Sequence, residues 1–100
     1  MPVEVLAGLN VTDETSYHAY RDGIKAILEQ YGAHFTHDFK VAETVVNTSD
    51  APINRIMTLR YPDMDALNTM SQDEAYLSVR GQYFDKGVKD TTIIAMYDVE

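Results

Sequence analysis

The chain contains no cysteine, which excludes disulfide bonds, thiol nucleophiles and thiolate metal sites. It also lacks any apolar run close to the roughly 20 residues that a membrane-spanning helix requires. No basic segment leading into an apolar stretch precedes the first strand-like residues, so we expect no signal peptide and a cytoplasmic location. These absences exclude proteins built on a disulfide framework or a membrane span.

Basic residues are scarce, with eight Lys and Arg against sixteen Asp and Glu, and the formal net charge is -8. A charge of this sign repels nucleic-acid phosphates and anionic lipid, so we expect neither nucleic acid nor a membrane as a partner. The hydrophobic fraction of 45% is ordinary for a globular protein, and 100 residues suffice for one core. We therefore expect a single domain over residues 1–100.

The first third of the chain predicts a strand followed by a helix. Apolar residues alternate from Val3 to Val11, which is typical of a strand with one buried face. Thr12 and Asp13 then offer N-cap oxygens, and Gly32 suits a left-handed C-cap. Between them, apolar residues recur at helical spacing, which predicts a helix of about five turns. These recurring positions are Tyr17, Tyr20, Ile24, Ile27, Leu28 and Tyr31.

The middle of the chain predicts a hairpin. A period of two returns at Ala33 and continues to Val46, with a bulge expected near Lys40. Residues 47–52 are rich in turn formers and should connect this strand to a third strand over 54–61.

The last third predicts two helical pieces and a final strand. Pro62 and Asp63 should start a short helix, and the Ser71 to Glu74 pattern is typical of a capping box for a second helix over 72–86. The last strand should run from Thr91 to Val99. It should place Ile93, Ala95 and Tyr97 on one face, and Ile94 and Met96 on the other.

This order of elements predicts an α+β fold of the ferredoxin-like βαββαβ plan, with a four-stranded antiparallel sheet and its helices on one face. Apolar side chains, among them Leu6, Ile94 and Met96, should then lie on the uncovered face. Burying each contributes about 1.5–3 kcal/mol, and a bare apolar face marks an interface. We therefore expect a homodimer through this face, with a second copy as the partner.

Several short segments resemble one known family. They are Val11-Thr12-Asp13 followed by Tyr17 and Tyr20, then Tyr31-Gly32, then the run from Arg55 to Pro62 leading to Ala66, Ser71 and Tyr76. The chain resembles the domain of unknown function 1330 family, which looks like a branch of the dimeric α/β-barrel superfamily. The resemblance extends over nearly the whole chain and implies the same fold and dimer.

The resemblance implies several kinds of function. Superfamily members include cofactor-independent monooxygenases, muconolactone isomerase-like enzymes, polyketide cyclases and proteins with no known activity. Their pockets commonly lie between sheet and helices, and their chemistry relies on a few His, Tyr, Arg, Asn or acidic side chains. A shared fold does not choose among these functions.

The three histidines are the first candidates for acid–base chemistry. His18 lies between Glu14 and Asp22 at helical spacing, which favours a solvated ion-pair stripe. His34 and His37 should lie on opposite faces of their strand, which argues against a shared metal ion. We expect His37 to point inward with Phe35 and Phe39, either as a hydrogen-bonded core residue or as a general base.

Arg60 should point with Ile56 and Thr58, away from Leu59. A guanidinium on a covered face needs an acidic partner, which Glu4 or Asp98 could supply, or an anionic ligand.

The seven tyrosines are many for this length. Tyr17, Tyr76 and Tyr97 fall at positions expected to face inward, where they would either line a site for a planar aromatic ligand or fill the core. Asn10 ends the first strand and would hold a ligand oxygen or cap the next turn.

Two hypotheses follow. In the first, a homodimer binds a small hydrophobic or aromatic metabolite at Asn10, Tyr17, Tyr76 and Tyr97. Its catalytic version has His37 as base and Arg60 as oxyanion stabiliser, with Tyr76 or Tyr97 orienting the substrate. The second is a non-catalytic dimeric accessory or stress-related protein. The sequence has no Gly-rich phosphate loop, nucleotide fingerprint or metalloprotease motif, so we expect no cofactor and no metal.

Overall fold

The computed structural model describes all residues from Met1 to Glu100. The four strands are β1 (Val3–Val11), β2 (His34–Lys40), β3 (Arg55–Tyr61) and β4 (Val88–Asp98). Three helices, α1 (Glu14–Gln30), α2 (Met64–Ser71) and α3 (Glu74–Val79), are followed by a π-helical turn over Arg80–Phe84 and a last short helix, α4 (Asp85–Gly87). None of these helices combines the length and apolar character needed to span a membrane. The predicted order of elements is confirmed.

The sheet has the strand order β2-β3-β1-β4, and every neighbouring pair is antiparallel. β1 is central, with Val3 opposite Tyr61 of β3 and Leu9 opposite Arg55. This topology confirms the predicted α+β plan.

The core lies between the helices and one face of the sheet. Val3, Ala7, Leu9 and Val11 are the buried, helix-facing residues of β1. They pack with side chains that are almost inaccessible to solvent, namely Tyr17, Tyr20, Ile24, Leu28 and Met70. Burial of such side chains, at about 1.5–3 kcal/mol each, holds the two layers together.

The ends of α1 follow the predicted chemistry. The Asp13 carboxylate accepts a hydrogen bond from the Ser16 amide at 3.2 Å, and Gly32 adopts a left-handed conformation with φ of 70°. The capping box predicted for the second helical piece is wrong. α2 continues through Ser71, whose hydroxyl donates to the Asn68 carbonyl at 2.8 Å, and Asp73 caps α3 instead.

β2 ends at Lys40, so the predicted strand up to Val46 is wrong. Residues 41–54 form an irregular segment, which we call the covering segment because it folds over the sheet face opposite the helices. The Asn54 side chain takes the place of a strand neighbour for Val11, donating to its carbonyl and accepting from its amide at 2.8 Å each. Ile53 packs against Gly8 so closely that an added Cβ would lie 2.6 Å from its Cδ1 atom. These contacts tie the segment to β1 without strand pairing.

Bulges in β2 and β4 change which side chains face outward. In β2 the register shifts between Phe35 and His37, and in β4 it shifts opposite Leu6 and Ala7. Met96 consequently pairs with Val5, on the helix-facing side, and Tyr97 pairs with Glu4. The predicted faces of Tyr97 and Met96 are therefore wrong, because simple alternation does not include the extra residue of a bulge.

Candidate functional site

The sheet face opposite the helices, which we call the open face, has a polar half and an apolar half. The polar half holds six hydrogen-bonded side chains contributed by all four strands, here called the polar cluster: Glu4, Thr36, His37, Thr58, Arg60 and Tyr97. His34, opposite Arg60, lies on the same face beside them. The apolar half lies under the covering segment, around Gly8 and Ile56. Successive same-face residues of a strand are about 7 Å apart, so the two halves adjoin.

Glu4 is the centre of the polar cluster and only 5% exposed. One carboxylate oxygen accepts a hydrogen bond from the Tyr97 hydroxyl. The other accepts from Thr36 Oγ1 at 2.7 Å and from Arg60 Nη2 at 3.2 Å. These donors, Tyr97 first and Thr36 next, hold the pKa of Glu4 below its ordinary value despite burial. The site therefore contains a fixed carboxylate anion.

The Tyr97 hydroxyl is held by the same carboxylate. Its hydrogen bond to Glu4 raises the pKa of Tyr97, because ionising the phenol would remove the donated proton and set two negative charges side by side. Tyr97 thus acts in the cluster as a neutral hydroxyl donor.

His37 lies at the opposite side of the cluster, on β2. Its Nδ1 atom is 2.9 Å from Thr58 Oγ1, and its ring centroid is 5.5 Å from that of Phe39. His37 is exposed and shares the open face with Phe39, whereas Phe35 packs on the core. The prediction that His37 points inward with Phe35 is wrong, because the β2 bulge reverses the alternation between them. The same bulge places His34, opposite Arg60, on the open face with His37, so the prediction that the two histidines lie on opposite faces is also wrong.

Arg60 has the acidic partner that its position requires. Of the two candidates, Glu4 pairs with it, at 3.2 Å. The Arg60 Nε atom is buried and has no hydrogen-bond acceptor. Most buried donors in proteins form a hydrogen bond, whereas this N–H, beside the carboxylate, forms none.

The apolar half of the open face forms a groove of about 580 Å³. Ile56, Thr92, Ile93 and Ile94 line it from the sheet, and the covering segment supplies the other wall with Val41, residues 43–49 and Ile53. Ile93 and Ile94 remain 55% and 49% exposed. We call this feature the apolar groove.

The other predicted site residues are not part of this arrangement. Tyr17 is fully buried on the helix side of the sheet and donates to Asp38 at 3.1 Å. Tyr76 also lies on that side, with its hydroxyl 3.5 Å from that of Tyr20. Asn10 lies at the far end of β1 and donates to Asp90 at 3.0 Å. The structure thus brings together His37, Arg60 and Tyr97, and separates Tyr17 and Tyr76 from them by the sheet.

Tyr17, Tyr20 and Tyr61 are buried in the layer between sheet and helices, where the resemblance implies a pocket. Burial, as the largest cause, raises the pKa values of the phenols of Tyr17 and Tyr20 far above normal and that of Tyr61 to about 12. These hydroxyls therefore stay protonated and serve as core residues rather than as acids or bases.

An ion-pair network between α1 and the sheet was not predicted. Arg55 Nε contacts Asp38 at 2.7 Å, its Nη1 contacts Glu14 at 2.7 Å, and its guanidinium stacks 4.5 Å from the centroid of the Tyr17 ring. The available signal was an Arg at a helix-facing position of β3, in alternation with Met57 and Leu59. Because its charges are paired with one another, we infer that this network stabilises the fold and is not a ligand site.

Sequence reasoning identified Glu4 only as a partner for Arg60 and did not identify Thr36 or Thr58 as site residues. Glu4 carried a signal, since it is an acid at a polar position of the central strand. Thr36 carried none, because it reaches the cluster through the bulge that follows Phe35. No group of three or more His, Cys, Asp or Glu side chains is arranged to hold a metal ion.

Known proteins identify the fold and the family but not an activity. The family model described as a domain of unknown function (DUF1330) matches residues 5–97. A protein of unknown function from Rhodopseudomonas palustris superposes with a TM-score of 0.82 at 16% identity, covering 99% of this chain and 82% of its own. No curated protein matches the chain significantly.

Two further structures share the ferredoxin-like fold. A DABB-family protein from Mesorhizobium loti has a TM-score of 0.67 at 12% identity, with 99% and 97% of the two chains covered. A protein of unknown function from Bacteroides fragilis, described as dimeric, has a TM-score of 0.61 at 9% identity, with 98% and 96% covered. At these identities the similarity establishes the fold, which is ferredoxin-like.

Proposed function

The chain belongs to the domain of unknown function 1330 family, and we propose that it works as a homodimer whose paired open faces enclose a small hydrophobic or aromatic metabolite. The observation that carries the proposal is the apolar groove of about 580 Å³, which adjoins a polar cluster on the sheet face opposite the helices.

The dimer is supported by apolar side chains that one copy leaves in solvent. Phe39, Ile93 and Ile94 are each about half exposed on or beside the open face. These side chains lie at the two edges of the sheet, and a second copy packed on this face in a two-fold arrangement would cover them on both copies. The Bacteroides fragilis protein with this fold is described as dimeric.

The ligand class is supported by the dimensions and lining of the groove. Its volume lies in the range of pockets for small organic ligands, which are mainly apolar with a few polar groups that fix orientation. Of the polar groups on the open face, His37 is nearest, since it pairs with Thr58, the next open-face residue of β3 after Ile56. Arg60 and Tyr97 lie one step farther along the open face. The net charge of -8 favours a neutral ligand over an anion.

Acid–base chemistry is the reaction class that such a site would support, as in cofactor-independent monooxygenases, isomerases or cyclases. His37 would act as the base, Arg60, whose side chain is 38% exposed, would stabilise a developing oxyanion, and Tyr97 would orient the substrate. Tyr97 takes the orienting role because Tyr76 lies beyond the sheet.

Sedimentation tests the dimer. We expect the wild type to sediment at twice the mass of the chain at micromolar concentration, and Ile94→Arg to sediment as a monomer, because the charge would be buried in the interface. Leu77→Arg is the matched control, since Leu77 is also 49% exposed but lies on α3. A well-folded monomeric wild type, or a dimeric Ile94→Arg variant, would contradict the proposal.

An NMR titration with neutral phenols and other small aromatic compounds tests the ligand. We expect chemical-shift changes in the amides of Ile56, Thr92 and Ile94, with the helix-side amides of Tyr20 and Ile24 unchanged. A dimer that shows no such changes would instead support the non-catalytic accessory protein.

A further inference from the structure

A continuous chain of hydrogen bonds on the open face joins Glu4 to His37, although β3 separates their strands. Glu4 accepts from Thr36 at 2.7 Å, the hydroxyls of Thr36 and Thr58 are in contact, and Thr58 Oγ1 lies 2.9 Å from His37 Nδ1. Thr58 is buried and Thr36 half-buried, so the two hydroxyls are largely shielded from water.

The direction of each hydrogen bond follows from the charge on Glu4. A hydroxyl has one hydrogen, and Thr36 directs it to the carboxylate at 2.7 Å rather than to the Thr58 carbonyl at 3.3 Å, because charged acceptors form the stronger bond. Thr58 must then donate to Thr36. With its only hydrogen used, Thr58 can only accept from His37, so Nδ1 must carry a proton.

We propose that Glu4 positions the His37 base through Thr36 and Thr58, fixing the neutral imidazole in its Nδ1–H form and presenting the Nε2 lone pair to a ligand hydroxyl on the open face. A neutral imidazole has one donor and one acceptor nitrogen, and the hydrogen bond of one nitrogen fixes the role of the other. Glu4, Thr36 and Thr58 are thus positioning residues.

This arrangement narrows the ligand class, and that part of the inference rests on the proposed function. A hydrogen-bond acceptor at Nε2 selects a ligand with an acidic O–H, and the nearby Phe39 ring and the apolar groove select an apolar body. Glu4 already pairs with Arg60, and the chain is acidic overall, so a carboxylate ligand is disfavoured. A neutral phenol or enol meets these conditions.

The tautomer can be read directly from imidazole ¹⁵N resonances at about pH 8.5, where imidazoles are neutral. We expect His37 to show the Nδ1–H form, while His34, which lies opposite Arg60 on the same face but has no hydrogen-bond partner, shows a mixture of the two tautomers. A wild-type His37 with its proton on Nε2, or with the same mixture as His34, would overturn the proposal.

Thr36→Val tests the connection, because this residue does not contact the imidazole nitrogens. Without Thr36 Oγ1 as acceptor, the Thr58 hydroxyl is free to donate to Nδ1, and we expect the His37 proton to move to Nε2. Thr36→Ser retains the hydroxyl and should retain the Nδ1–H form. An unchanged tautomer in a folded Thr36→Val variant would overturn the positioning role. If that variant does not fold, Thr58→Val serves instead. We expect its His37 signal to become like that of His34.

The ligand class is tested with phenol and anisole, which differ in having a donor hydroxyl. We expect phenol to shift the Nε2 resonance of His37 and anisole to leave it unchanged. If neither compound has an effect while His37 is in the Nδ1–H form, the phenol or enol assignment is overturned and the positioning role stands. A wrong tautomer overturns the positioning role whatever the ligand does, so the two failures are distinguishable.

Discussion

Glu4 stands out among single residues because a buried carboxylate destabilises the folded state unless its oxygens are hydrogen-bonded. Tyr97, Thr36 and Arg60 supply those bonds and lower the pKa of Glu4 from 4.5. A carboxyl with a lowered folded-state pKa stabilises the fold fully above its unfolded value and loses that contribution as the pH falls toward the folded value. Protonation of Glu4 in acid should therefore lower the stability of the protein.

We predict that Glu4→Gln lowers the free energy of unfolding by about 1.5–3 kcal/mol at neutral pH, the range for hydrogen bonds to a charged group. The difference from the wild type should shrink as the pH falls below 4.5, the ordinary pKa of this group. Urea denaturation at a series of pH values measures it. Glu43→Gln, an exposed carboxyl of the covering segment, is the control and should have little effect. A difference independent of pH would refute the electrostatic explanation.

For single residues, the alternation of apolar and polar positions along a strand placed some site residues on the correct face and others on the wrong one. It gave the correct face for Arg60 and suggested Glu4 as its partner, because β1 and β3 pair without a shift. It failed for His37 and Tyr97, because each lies on an outer strand with a bulge. A bulge depends on how two strands pair, and one strand's own sequence does not contain that information.

Among the elements, the junction between α4 and β4 packs directly against the backbone at the start of α1. The Gly87 carbonyl accepts from the amides of Thr12 at 2.8 Å and Asp13 at 3.2 Å. A Cβ atom at Gly87 would lie 2.8 Å from the Tyr17 amide nitrogen and 2.9 Å from the Asp13 carbonyl oxygen. Backbone atoms that close cannot move aside without displacing the start of α1.

We predict that Gly87→Ala destabilises the protein by about 1–3 kcal/mol, the usual range for overpacking. Gly81→Ala is the matched control, since a Cβ at this helical position meets nothing within 4 Å. It should be neutral or raise stability by up to about 1 kcal/mol through helix propensity. Thermal or urea unfolding compares them, and equal effects of the two substitutions would disprove the packing argument.

Periodicity predicted the existence of the helices and strands and most of their order, since each buries one face. It failed in the covering segment, where Val41 to Val46 follows a strand-like pattern without pairing as a strand. The reason is that the Ile53 and Asn54 side chains and one backbone hydrogen bond, from the Asn54 amide to the Leu9 carbonyl at 2.9 Å, anchor this segment to β1. Such anchoring produces no periodic sequence pattern.

The whole molecule carries a net charge of -8, which two copies would bring together in the proposed dimer. Their repulsion acts over the Debye length, which shortens from about 30 Å at 0.01 M salt to about 8 Å at 0.15 M. We predict that the dimer dissociation constant falls several-fold over this range, because apolar contacts at the interface are not weakened by the salt. Sedimentation equilibrium at the two salt concentrations measures it. Weaker association at the higher concentration would instead indicate an interface held by ion pairs.

The bulges of β2 and β4 have a consequence for how this protein evolves. Adding or removing one residue at either bulge would move every side chain beyond it to the opposite face of the sheet. Core-facing and open-face residues of that strand would then exchange faces. One in-frame codon gained or lost in an outer strand would thus give the sheet a new chemical surface, with no amino acid replaced and the central strands undisturbed.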